Sequence, residues 1–126
     1  MKSRVLVAAA LMSSVAASAA PGDVNADSFY TTAVALQGKG MAAMFDKRVK
    51  PMVAQMKDAG TRARALNQAA GEAGKPLYCV PDAARKKGLS SQRVIALLGQ
   101  MPASERRSLT LAEAWKRILI REYPCG

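Results

Sequence analysis

Histidine is missing from all 126 residues. Its absence removes the commonest general base and a frequent metal ligand together, and with them any Ser-His-Asp or Cys-His mechanism carried by this chain alone. A phosphate-cradling loop is missing too, since Gly38-Lys39-Gly40 lacks the P-loop spacing and follows no strand. Acidic residues are scarce, 9 Asp and Glu against 19 Lys and Arg. They are scattered, most beside basic residues or at expected helix ends, which suits capping and solvation better than a paired-carboxylate hydrolase. No segment alternates apolar and polar residues as a half-buried strand would. These gaps point to a non-enzymatic chain of the all-α class, with no cofactor and no metal site expected.

What is present begins with an export signature. Lys2 and Arg4 form a positive head, Val5 to Met12 an apolar run, and Ala17-Ser18-Ala19 a small-residue cleavage site. The run is shorter than the roughly 20 residues that span a bilayer, and no later segment supplies a transmembrane helix. Cleavage after Ala19 is preferred to cleavage after Ala20, which would leave Pro21 next to the scissile bond. Residues 1–19 are thus expected to be a signal peptide and residues 20–126 a single helical domain in the periplasm or outside the cell. No cysteine follows the cleavage site to carry a lipid.

Losing Lys2 and Arg4 lowers the formal charge from +10 to +8. For an exported chain the fitting partners are acidic proteins, anionic headgroups or acidic envelope polymers rather than nucleic acid; the plain alternative is a charge that serves solubility alone. Cys79 and Cys125 are the only cysteines. In an oxidising compartment they should pair. Closing a loop of that length contributes on the order of 4 kcal/mol in the chain-entropy model. Pairing between two chains would instead link a homodimer, which the sequence leaves open.

Along the chain, residues 20 to 26 read as a flexible polar leader. A short first helix follows from Asp27, with Phe29, Tyr30, Ala33, Val34 and Leu36 at helical spacing, until Gly38 and Gly40 interrupt it. Met41, Met44, Phe45, Val49, Met52, Val53 and Met56 then recur every three or four residues. Pro51 marks either a kink in that run or the first turn of a helix beginning near Val49. Gly71, Gly74 and Pro76 end the long second helix. Tyr78 to Asp82 is extended or turned, because Val80 precedes a proline. The stretch Arg85-Lys86-Lys87-Gly88 reads as a basic surface loop. Ser90 or Ser91 caps a helix with Val94, Leu97, Leu98 and Met101 on one face, which Pro102 stops. Thr110 and Glu113 form a capping box for a last helix that buries Leu111, Ala114, Trp115, Ile118 and Leu119 and ends at Pro124. The expected architecture is a bundle of about four helices, in which the disulfide closes the C-terminal helical hairpin and the long second helix packs on it.

Two surfaces are candidates for binding. The methionines Met41, Met44, Met52 and Met56 form one stripe, read first as core packing and otherwise as an adaptable contact surface. The basic cluster Arg85, Lys86 and Lys87 adjoins the disulfide, a stiff base for a binding loop. Arg106 and Arg107 would extend it if the two segments are neighbours; solvation alone is the plainer reading of such runs.

The second half also resembles a known family. Tyr78-Cys79-Val80-Pro81-Asp82, the helix containing Val94-Ile95-Ala96-Leu97-Leu98, the Met101-Pro102 stop and the closing Tyr123-Pro124-Cys125 resemble the Rap/Tai group of small periplasmic immunity proteins. The resemblance covers about residues 77 to 125. It implies an exported helical protein that protects a bacterium from cell-wall amidases delivered by type VI secretion, a binder of an enzyme rather than an enzyme. Members usually pass from Cys-x-Pro directly into the helix, whereas this chain inserts Ala83 to Gly88. Only Cys79 and Cys125 match position for position, as the structural disulfide. The competing expectations are a small periplasmic stress chaperone, triggered by carboxylate protonation since histidine is absent, and an envelope-binding helical protein held by charge.

Overall fold

The structure, a computed structural model, describes residues 19–126. The head, apolar run and most of the cleavage site of the export signature lie outside the described residues. The first element described is a 3-10 turn, Pro21–Asp23, docked on the long helix. The Gly22 amide donates to Asp58 Oδ2 (2.8 Å), and Arg62 pairs with Asp23 (2.8 Å). The expectation of a flexible leader over residues 20 to 26 therefore does not hold. Its one acid, Asp23, and its glycine, Gly22, are held by partners more than thirty residues away, which local sequence does not display.

Helix α1 spans Ala26–Gln37, and the Asn25 side chain accepts from the amides of Asp27 and Ser28, supplying two of the donors a helix start leaves open. It buries Ala26, Phe29, Ala33 and Leu36 at the expected spacing. A 3-10 stretch, Gly40–Phe45, follows, entered through Gly40 at φ +58°. Helix α2, Val49–Glu72, begins anew and places Pro51 in its first turn, where the missing amide costs no intrahelical bond. The methionine run is therefore not one stripe: Met41 and Met44 are 80% and 72% exposed on the 3-10 stretch, whereas Met52 and Met56 pack against the core from α2. At the far end of α2, Gly74 at φ +105° forms a Schellman stop, its amide bonding Gly71 and that of Lys75 bonding Ala70.

The next three helices are α3 (Asp82–Lys87), α4 (Ser91–Gln100) and α5 (Ala103–Ser108), and α6 (Leu111–Glu122) closes the chain. The basic stretch expected as a loop is the last turn of α3. Asp82 stands in its first turn and Arg85, Lys86 and Lys87 in its last, an arrangement that complements the helix dipole. Ser90 caps α4 by accepting from the Arg93 amide, and Thr110 caps α6 by accepting from the Glu113 amide. Glu113 returns its carboxylate to the Thr110 hydroxyl (3.1 Å).

The fold is all-α, a bundle of four main helices with two short ones. Among the described residues no strand forms, and the sole β-type contact is an isolated bridge between Asn25 and Thr110. Around that bridge the Ala26 amide donates to Leu109 O (3.0 Å) and the Leu111 amide to Val24 O (2.7 Å). The core centres on α6, whose Leu111, Ala114, Trp115, Ile118 and Leu119 are all buried, joined by Leu97 and Leu98 of α4 and by Met101 just after it. Cys79 and Cys125 are bonded, with Cα atoms 5.0 Å apart. The Cys79 amide also donates to Tyr123 O (2.8 Å), so the same corner is fixed twice.

Candidate functional site

Helix α6 packs against α1, α2 and α4. Extensive packing between α2 and either α1 or α4 is absent. The residues that α2 buries, Ala59 and Ala63, are small, and the helix packs on α6 and on the N-terminal turn instead. The result is an open groove of ≈ 1610 Å³, with α2 as one wall, α1, α3 and α4 as the other, and Trp115 and Leu119 in the floor. Its apolar lining includes Phe29, Leu36, Met52, Met56, Val94 and Ile95. Part of that lining faces solvent: Val53 is 62% exposed and Met44 72%.

The loop carrying Cys79 is positioned by Asn67 of α2. Its Oδ1 accepts from the amides of Leu77 (2.7 Å) and Tyr78 (3.0 Å), while its Nδ2 donates to Tyr78 O (3.0 Å). This holds the Tyr78 ring, 6% exposed, against the core and beside the groove. Burial pushes the Tyr78 phenol above its ordinary range, and Arg64 opposes the shift. Sequence reading gave Asn67 no role, because its partners lie ten and eleven residues away across a turn.

Charge is distributed unevenly around the groove. Lys57 and Arg64 of α2 and Arg85 of α3 line it, all exposed, and no Asp or Glu does. None of these three cations has an ion-pair partner among the described residues. Six of the nine acids are engaged elsewhere in ion pairs: Asp46 with Lys39 and Arg48, Asp23 and Asp58 with Arg62, Asp27 with Arg106, Glu105 with Arg117 and Arg121, and Glu122 with Arg93. Arg48 and then Lys39 hold the Asp46 carboxyl far below the usual carboxylate range. Arg62 lowers that of Asp23, and Arg121, helped by Arg117, that of Glu105.

The basic residues singled out in the sequence separate in space. Arg85 faces the groove, and Lys86 and Lys87 are exposed beside it on α3. Arg107 is exposed on α5, its carbonyl accepting from Asn25 Nδ2 (2.9 Å). Arg106 is a correction, since it is 7% exposed and points inward. Its Nε donates to Asp27 Oδ1 (2.9 Å), its Nη1 to the carbonyls of Leu98 and Met101, and its guanidinium lies 4.1 Å from the Tyr30 ring centre. It ties the end of α4 to the start of α1 and adds nothing to a basic face. Nor is there extensive packing between α3 and α5.

A second hollow of ≈ 450 Å³ lies between the N-terminal turn and the start of α2, with Asp23, already paired to Arg62, as its charged group. Among the described residues no cluster of three or more His, Cys, Asp or Glu forms, and no helix is long and apolar enough to cross a membrane. No family model, no curated protein and no solved structure matches the chain.

Proposed function

We propose that this chain is a non-enzymatic binding protein that works outside the cytoplasm and neutralises an enzyme by direct contact, in the manner of the periplasmic immunity proteins its second half resembles. The observation that carries the reading is the groove, a large apolar trough bordered by cations that have no ion-pair partner among the described residues. Surfaces of that kind take up a partner's side chains rather than transform a small substrate. The Cys79–Cys125 bond supports the compartment, since disulfides persist where the surroundings are oxidising. It also joins the two ends of the motif on which the resemblance rests.

The test is capture and inhibition. The oxidised chain beginning at Ala20 is mixed with candidate cell-wall amidases, and peptidoglycan hydrolysis is followed together with complex size. A stoichiometric complex that abolishes hydrolysis supports the reading; amidases that retain full activity at a molar excess of the chain refute it.

The exposed Met41, Met44 and Phe45, the last 89% exposed, favour a second reading as a holding chaperone. It requires suppression of aggregation of unrelated unfolded proteins, strongest on acidification. A chain that leaves such aggregation unchanged at every pH removes this alternative.

A further inference from the structure

The groove is not filled by anything the chain itself supplies among the described residues, and three of its features restrict what can fill it. The first is size. A volume of ≈ 1610 Å³ exceeds the roughly 300–1,000 Å³ of small-molecule pockets. Its α2 wall runs from Val49 to Gln68, which at 1.5 Å per residue is about 28 Å. That is the length of a polypeptide segment, not of a metabolite, and the solvent-facing lining leaves one side of any occupant wet.

The second feature is sign. Lys57 and Arg64 stand seven residues apart, two turns along the α2 wall, and Arg85 faces them from α3. With no acid in the lining, the balancing charge must come from the occupant. A second copy of this chain brings its own cationic rim and a formal charge of +10, or +8 without the signal, so like charges oppose self-association through this face.

The third feature is Gly60. It sits in the interior of α2 and lines the groove, and a Cβ built on it meets nothing within 4 Å. Glycine weakens a helix interior, and among the described residues no contact requires it here. Its bare backbone leaves room for close approach from outside.

We infer that the groove receives an amphipathic, acidic helix of a partner protein, its apolar side chains seated over Trp115, Leu119 and Met56, its carboxylates meeting Lys57, Arg64 and Arg85, and its backbone passing close to Gly60. The inference rests on the reading that the partner is a protein and adds where, and by what chemistry, it docks. Long flexible methionines on the α2 wall suit a helix whose exact side chains vary.

The experiment uses the oxidised chain from Ala20 and two fluorescein-labelled synthetic helices of 20 residues, each with leucine on one face and either glutamate or lysine on the other. Anionic phosphatidylglycerol vesicles are a third probe. Anisotropy is measured at low salt, together with emission of Trp115, the single tryptophan, which lines the floor. The glutamate helix is expected to bind at least tenfold more tightly than its lysine twin and to change the Trp115 emission. Lys57→Glu with Arg64→Glu should weaken it tenfold or more, as should Gly60→Phe. Lys75→Glu, exposed and outside the groove, should change it less than threefold, and circular dichroism should show every variant folded. Equal affinity for the two helices, indifference to the groove substitutions, binding to vesicles alone, or a self-associated form that closes the groove would each overturn the inference. If the amidase complex forms undiminished with the groove variants, the docking site is wrong and the binding reading stands. If the helix binds as described and no enzyme is neutralised, the reading fails and the groove chemistry stands.

Discussion

Arg106 and Asp27, 79 residues apart in sequence, meet at 2.9 Å in a part-buried contact and join α5 to the first turn of α1. The same guanidinium satisfies two carbonyls at the end of α4, where a helix leaves its acceptors unpaired. Its planar fork can serve these sites together, which an ammonium cannot. Arg106→Met should destabilise the fold by about 3–5 kcal/mol, the usual cost of stranding one partner of a buried pair, and Arg106→Lys should recover only part of it. Urea denaturation decides the point; a loss below about 1 kcal/mol for Arg106→Met would show the contact to be incidental.

Reduction of Cys79–Cys125 releases a loop of 46 residues of sequence separation. The chain-entropy model gives a loss of about 4 kcal/mol. That is large against the 5–15 kcal/mol typical of a domain, so the reduced chain should unfold at a much lower denaturant concentration. Matching midpoints with and without reductant would mean that the Asn67 bonds and the Cys79 to Tyr123 hydrogen bond hold the corner unaided.

Two glycines should respond in opposite directions to alanine. At Gly60 a methyl group finds open space within α2, so Gly60→Ala should stabilise by about 1 kcal/mol through helix propensity. At Gly22 a Cβ would lie 2.7 Å from Asp58 Oδ2 and 3.1 Å from the Ala59 backbone nitrogen. Gly22→Ala should therefore push the N-terminal turn off α2 and cost about 1–3 kcal/mol, as overpacking does. Thermal midpoints of both variants, measured side by side, provide the check.

Stability should fall with acid and stay level through neutrality. Arg121 and Arg117 hold Glu105 below its ordinary pKa of 4.5, Arg62 holds Asp23 below 3.8, and Asp46 lies lower still. A depressed folded-state pKa means that the unfolded chain binds the proton more readily. The stability these groups contribute is therefore complete above the unfolded values and is lost as pH falls through about 4 towards the folded ones. With no histidine, no side chain with an ordinary pKa titrates between pH 5 and 8. Urea midpoints that coincide at pH 7 and 5 and drop at pH 3 are expected; a midpoint unchanged at pH 3 contradicts the ion pairs described.

The four main helices are legible in the sequence because each buries a face whose spacing is local. Phe29, Ala33 and Leu36, or Leu111, Trp115 and Ile118, announce themselves within a dozen residues. The disulfide is equally plain once two cysteines stand in a chain with an export signature. Arg106 is illegible for the opposite reason: beside Arg107 and Glu105 it reads as surface, and the carboxylate that draws it inward lies in another helix. Met41 and Met44 continue the period of Met52 and Met56, yet Gly40 breaks the helix between α1 and α2 and leaves the first pair in water. The groove is hidden most thoroughly, because it arises from contacts that do not form. Nothing in Ala59 or Ala63 shows, before folding, that α2 will stand on α6 and stop short of α1 and α4.

The backbone clasp around Asn25 and Thr110 bears on the order in which the molecule assembles. Val24 and Ala26 exchange hydrogen bonds with Leu111 and Leu109, so this segment near the start of the domain closes on residues near its end. Pairings this remote in sequence are late and slow to form. A ribosome or translocase delivering the chain from its N-terminus releases α1 and α2 well before α6 exists to receive them. Their apolar faces must wait, unsheltered, until nearly the whole polypeptide has emerged, and folding here is an event of completion rather than of stepwise growth.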